Sequence, residues 1–374
     1  MIIGIDGNEA NIEKRVGVNT YTYEILWGLY NIDHDRNNYI IYLKSTPRED
    51  LPRQRENWKY KILPGGSVWI ISRLVPHLLF TNRRPDVFFT PSHYVPPLTL
   101  MPRVCSIMDM GYLKFSTHLK KYDYWQLSLW SAYSMLVAKY IFAISTSTKE
   151  EIVNHYPFAK NKVVVTPLSY DTKKFNSGIP QSGVDDVKKK YNIDGEYVLF
   201  LSTLKPSKNL VGLIDAFIAV NRAFPQYKLV VAGKKGWMYD QIFRKVRDNH
   251  LEKHIIFTDF VAEADKPFLI KGAKLFALPS YWEGFGLDAL NAMAAGVPVV
   301  VSNKGSLPEV VGDAGIIVDP HNIDDIAQGI KKVLSMDKKD YTSLVAKGLE
   351  QAKKFSWKKT AAKTLEVLEL AKKK

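Results

Sequence analysis

Cysteine is nearly absent. Cys105 stands alone in 374 residues, so no disulfide can close within the chain, and a reducing compartment is expected. The eight histidines (34, 77, 93, 118, 155, 250, 254 and 321) are scattered without metal-ligand spacing, and no zinc site is expected. The first six residues lack a basic n-region and run straight into a strand-like segment, so no signal peptide is expected. Apolar runs of membrane length are scarce as well. Only residues 127–144 approach one, and Lys139 and several Ser and Tyr residues interrupt it. A helix ending near Ala138 that feeds a buried strand at 140–144 explains the run better. No block of one charge exists either. Of 52 basic and 38 acidic side chains, residues 1–168 hold 20 and 14 (net +6) and residues 169–374 hold 32 and 24 (net +8). That spread excludes a basic nucleic-acid-binding tail. The overall +14 still favours acidic partners, namely a nucleotide diphosphate and an anionic membrane surface. The expected location is the cytoplasm, with peripheral attachment to the inner face of the membrane.

What is present is an alternation. With 46% hydrophobic and 24% charged residues the chain is globular, and its length suits two domains better than one core. Strand-like runs at 1–5, 39–43, 87–89, 104–108, 140–144 and 163–166 are separated by amphipathic helical segments. A second set follows at 198–201, 228–231, 255–257, 275–278, 297–301 and 315–318. The pattern predicts an α/β protein with two Rossmann-like, doubly wound domains. Residues 1–170 form the first domain, 171–190 a polar linker rich in Gly, Pro and Ser, 191–354 the second domain, and 355–374 a final helix.

Residues 280–302 are the most informative stretch. Glu283 is followed by the turn Gly284, Phe285, Gly286; a helical run opens at Leu287, and Gly296 and Pro298 stop it before an apolar strand. A glycine turn opening a helix aims backbone N–H groups and the positive end of the helix dipole at one spot, which suits a diphosphate. The neighbouring carboxylate accepts hydrogen bonds from hydroxyls. Phosphate at one end and hydroxyls at the other describe a nucleotide-sugar. Taken alone, the same residues also fit an ordinary helix entry with a solvated acid.

The whole segment closely resembles the donor-site signature of retaining glycosyltransferases of family four, and the resemblance continues in order along nearly the whole chain. It implies the GT-B architecture, two Rossmann-like domains facing a cleft, with the last helix returning to the first domain. It also implies sugar transfer from a nucleotide diphosphate-sugar to a glycan, a lipid-linked acceptor or another hydroxyl, without metal or other cofactor. By the same resemblance Glu283 holds the donor sugar and Lys208 faces the diphosphate. Phe260 and Val261 meet the base, Glu309 lies near the donor, and Gly17 belongs to a loop near the reacting centre.

Two positions depart from the family. The second Glu of the signature, which binds ribose, is Asn291 here: it keeps an acceptor and loses the charge. The His of a His-Asp pair after the fourth strand is Met108, followed by Asp109. Methionine donates no strong hydrogen bond, and His93 is the stand-in on the acceptor side. An Arg usual near Lys208 is also missing. These losses leave a second reading open, a non-catalytic subunit of the same fold that supports a catalytic partner or reads a glycan. Asp33, His34 and Asp35 mimic a metal motif and read as a solvated turn. The aromatic, basic segment from Lys120 through Trp125 to Tyr133, with Trp69 to Val75 upstream, fits either core packing or an anionic bilayer.

Overall fold

The computed structural model describes residues 1–114, 121–233 and 239–373. The chain divides into two compact units, Met1–Leu168 with Ser356–Lys374, and Ser169–Phe355.

The first unit is built on a parallel seven-stranded sheet of β1 (Ile2–Asp6), β2 (Asn38–Leu43), β3 (Trp58–Ile62), β4 (Val87–Thr90), β5 (Arg103–Ile107), β6 (Tyr140–Ala143) and β7 (Val163–Val165), in the order β3-β2-β1-β4-β5-β6-β7. Its central strands are apolar on both faces, as helix-covered parallel strands must be. The sequence pattern did not disclose β3. In Trp-Lys-Tyr-Lys-Ile only Trp58 is buried, and the flanking lysines of this edge strand stay exposed. Charge there also blunts the open edge against a further strand.

The C-terminal helix Trp357–Lys372 packs on the helix Val18–Ile32, so it belongs to the first unit as the resemblance implied. The approach is close: a Cβ added to Gly28 would lie 2.6 Å from Ala361 Cβ. Thr360 Oγ1 donates to the Pro167 carbonyl at 2.6 Å, and Asn37 Nδ2 donates to Glu369 at 3.0 Å. The Asp33-His34-Asp35 turn is not simply solvated. Asp33 is buried and accepts from Asn37 Nδ2, the Tyr39 hydroxyl and the Arg36 amide, which makes it a structural anchor.

The second unit carries a parallel six-stranded sheet of β8 (Glu196–Leu201), β9 (Tyr227–Ala232), β10 (Ile255–Asp259), β11 (Leu275–Leu278), β12 (Val299–Ser302) and β13 (Ile316–Val318), in the order β10-β9-β8-β11-β12-β13. Half of the stretch read as linker is a helix, Gln181–Lys190, packed within this unit on the helix Lys266–Lys271.

The long apolar run resolves into the helix Lys121–Val137 and then β6. Among the described residues no helix is long and apolar enough to cross a membrane. Lys120 lies outside the described residues.

In both sheets the strand order reverses once, between β1 and β4 and between β8 and β11. Loops diverge at the carboxyl ends of strands flanking such a reversal and leave a crevice for a ligand.

Candidate functional site

In the second unit the candidate residues gather at that reversal. Lys208 follows β8 and Glu283 follows β11, and the Lys208 ammonium donates to Glu283 Oε1 at 2.6 Å and Oε2 at 2.7 Å. Ser280 Oγ donates to Oε1 at 2.8 Å. The two charged side chains keep only 19% and 11% of their surface exposed, so the pair sits in a partly desolvated setting where charge-assisted bonds are strong.

The turn around Glu283 is fixed from three sides. Ser306 N and Oγ both donate to the Glu283 carbonyl at 3.1 Å. Gly305, at φ +60°, passes so close that a Cβ would stand 2.4 Å from that same oxygen. On the other side Tyr281 N donates to the Ser207 carbonyl at 2.8 Å, which ties the loop after β11 to the loop after β8. The Tyr281 ring stacks on His321 at 4.9 Å.

The glycine turn then turns into a helix as the sequence predicts. Gly286 is the N-cap of Leu287–Ala294 at φ +90°, a left-handed conformation that a side chain resists. Gly284 is half-buried, while Phe285 is buried edge-on against Phe355 at 5.6 Å. Asn209 caps the next helix, Leu210–Ala223, by accepting from the Gly212 amide at 3.3 Å, and its Nδ2 donates to the Pro320 carbonyl at 2.7 Å.

Asn291 lies on the same helix as the glycine turn. Its Nδ2 donates to Asp288 Oδ1 at 3.4 Å, and its own Oδ1 is buried without a hydrogen-bond partner. Sequence reasoning missed Asp288. Burial raises its carboxyl above the ordinary value, with Glu283 and Glu263 adding to the effect and Lys266 and Lys208 opposing it. The signal was available as helical spacing, since positions 288 and 291 share a face. The sequence assigned no role to Ser280, Gly305 or Ser306, because their role depends on contacts between segments distant in the chain.

Phe260 and Val261 follow β10. Phe260 is 52% exposed and Val261 is buried, so of the two only the phenylalanine ring is open to a ligand. Glu309 is exposed on the short helix Leu307–Val311, whose leading residue Ser306 holds the Glu283 carbonyl.

The remaining candidates belong to the first unit and lie in the loops that follow β1, β4 and β5. Gly17 caps the helix Val18–Ile32 with open space around it. Met108 and Asp109 leave β5 half-buried, and Asp109 Oδ1 accepts from the Gly111 amide at 2.8 Å. His93, after β4, has Nδ1 3.4 Å from Ser131 Oγ. Burial holds its imidazole below the ordinary value, and the nearby Asp109 charge pulls the other way. The structure therefore brings His93 and Asp109 together. Among the described residues no group of three or more His, Cys, Asp or Glu is placed to hold a metal ion.

Residues 184–351 match the family model for glycosyl transferases group 1. The chain is 35% identical over 237 residues to O-antigen chain mannosyltransferase B of Escherichia coli, an alignment that takes in 62% of this chain and 61% of that protein. It is 30% identical over 214 residues to a GDP-mannose-dependent alpha-(1-6)-phosphatidylinositol monomannoside mannosyltransferase of Mycobacterium tuberculosis, with 54% of each chain covered. The match thus spans about three fifths or less of these curated relatives. Two solved structures share the fold over nearly all of both chains. HepE of Anabaena in complex with UDP and glucose aligns with a TM-score of 0.74 at 18% identity, covering 98% of this chain and 99% of that one. Sucrose-phosphate synthase of Thermosynechococcus elongatus aligns with a TM-score of 0.75 at 17% identity, covering 99% and 98%. The matched region fills most of the second unit and contains Lys208, Glu283 and the glycine turn, so it is this part of the chain that is similar to the glycosyl transferases of group 1.

Proposed function

We propose that the chain transfers a sugar, with retention and without a metal, from a nucleotide diphosphate-sugar to a hydroxyl of a glycan or lipid-linked acceptor at an anionic membrane surface. The mannosyltransferase relatives favour a mannosyl donor, and the GDP-mannose dependence of one of them favours GDP as the nucleotide.

One observation carries the reading: the Glu283 carboxylate, held by Lys208 and Ser280, stands at the glycine turn that opens the helix Leu287–Ala294. The diphosphate leaves with growing negative charge. The Lys208 ammonium and the amides of Gly284, Phe285, Gly286 and Leu287 are groups that stabilise such charge. When Lys208 turns to the phosphates, Glu283 is freed to accept from sugar hydroxyls, so donor binding and positioning of the carboxylate are one event. Asn291 Oδ1, buried and unpartnered, suits a ribose hydroxyl. The Phe260 ring and the backbone of Val261 serve the base, and Glu309 the rim of the donor site. Gly17, Met108, Asp109 and His93 serve the acceptor side, where a neutral His93 beside Asp109 supplies the polar contact that Met108 lacks.

The test is release of GDP from GDP-mannose, compared with UDP from UDP-glucose, with product anomeric configuration read by NMR and activity followed with and without chelator. Inversion at the anomeric carbon, or loss of activity on chelation, would remove those parts of the proposal. Met108 and Asn291 favour the rival reading, a binding subunit. If wild type binds nucleotide but releases none with any donor and acceptor, that reading replaces this one.

A further inference from the structure

The helix Lys121–Val137 has two faces of different kinds. Tyr124, Leu127 and Met135 pack into the core of the first unit with Cys105, Ile107 and Ile141. The opposite side shows Tyr122, Trp125, Leu129 and Leu136 at 76%, 58%, 65% and 56% exposure. Their spacing of three, four and seven residues keeps all four on one stripe. At 1.5 Å per residue the stripe runs for about 20 Å. Leaving a Trp and two Leu in water along one line is costly, and burying them elsewhere repays it. The upstream segment is different: Trp69 is fully buried and its Nε1 donates to the Leu63 carbonyl at 2.5 Å, so that tryptophan is core.

The surroundings of the stripe say what covers it. Lys121 is exposed at its start. At its far end Lys162 donates to the Leu136 carbonyl at 2.6 Å and lies over the half-exposed Phe158 ring, with Lys160 exposed beside it. The first unit as folded, residues 1–168 with 356–374, holds 26 basic and 16 acidic side chains, a net +10, against +4 for the second unit (26 and 22). A protein partner needs matched pockets. A bilayer interface needs only aromatic and aliphatic groups in line, with lysines able to reach phosphate headgroups.

We propose that this stripe is a membrane-docking surface that lays the helix Lys121–Val137 flat in the headgroup region of an anionic bilayer. The inference rests on the membrane part of the reading above and assigns it to one face of one helix.

The experiment is sedimentation of the full chain with vesicles of mixed phosphatidylglycerol and phosphatidylcholine, and with phosphatidylcholine alone. Wild type should bind the anionic vesicles and bind them less as salt rises, while Trp125→Ser/Leu129→Ser should weaken binding at least about tenfold. Lys121→Glu/Lys160→Glu should weaken binding to the anionic vesicles alone. Phe80→Ser, which removes a more exposed ring from another helix, should leave binding unchanged. Equal binding by wild type and the Trp125/Leu129 variant would overturn the assignment, as would an equal loss with Phe80→Ser. A wild-type dimer that Leu129→Ser dissolves, without vesicle binding, would overturn it too and give the stripe to a second copy. Thermal melting of each variant shows that the unit is still folded, and nucleotide release with a soluble acceptor reports separately on sugar transfer.

Discussion

Glu283→Gln should separate binding from turnover. In the free protein the Lys208 ammonium is committed to both Glu283 oxygens, at 2.6 and 2.7 Å. A diphosphate must compete with that carboxylate for Lys208. Glutamine keeps the shape and removes the competitor, so GDP should bind as tightly as to wild type or several-fold tighter. Turnover should move the other way. If Glu283 orients the sugar in the transition state, release of GDP from the sugar donor should fall at least about 100-fold, equivalent to about 2.7 kcal/mol. Stability gives a third reading. Breaking a buried pair by removing one partner costs about 3–5 kcal/mol, and the residual exposure of these side chains reduces the expectation to about 2–3 kcal/mol. A double-mutant cycle of Lys208→Met and Glu283→Gln, read by urea unfolding of the second unit, should give a coupling of about 1.5–3 kcal/mol. Calorimetry with GDP and a nucleotide-release assay complete the set. The reasoning is refuted if Glu283→Gln folds normally yet loses GDP affinity tenfold, or if it turns over like wild type with a coupling below about 0.5 kcal/mol.

Gly305→Ala should destabilise the second unit by about 1–3 kcal/mol and weaken donor binding, because its Cβ meets the Glu283 carbonyl at 2.4 Å and its φ is +60°; thermal melting and GDP titration check both effects. Asn291→Leu removes a buried amide whose oxygen has no partner, so unfolding free energy should stay level or rise by up to about 1 kcal/mol while GDP affinity falls; affinity unchanged from wild type would detach Asn291 from the donor site. In the first unit, burial pushes Asp6 up to about 6, so its folded form favours the proton. Stability should therefore decline as pH rises from about 4 through 6 and level off above. Asp6→Asn should flatten that slope, with a change of about 1–2 kcal/mol since the carboxyl is only partly covered, as measured by denaturation at several pH values. Gly28→Leu should cost about 1–3 kcal/mol by wedging the C-terminal helix off its partner, seen as an earlier melting transition of the first unit.

The sequence by itself determined what depends on short-range pattern. Runs of Val, Ile and Phe spaced by amphipathic segments gave two parallel sheets, because strands covered by helices on both faces must be apolar throughout. The turn at 284–286 was legible because a left-handed turn is demanded locally, by one residue's φ. The edge strand β3 was not legible, since half of its side chains face water and its charge hides the period. Only the tertiary structure joined Lys208 to Glu283 across 75 positions, and only it placed Gly305 and Ser306 beneath the Glu283 carbonyl. It also showed that the Asp33 carboxylate is a buried anchor and that one face of the helix Lys121–Val137 is apolar and uncovered. Charge shows the same division. Cut by sequence, the two parts of the chain carry +6 and +8; cut as folded, the units carry +10 and +4, because the lysine-rich C-terminal helix packs on the first unit. A contact between distant segments depends on how the sheets and helices close, and no local pattern encodes that.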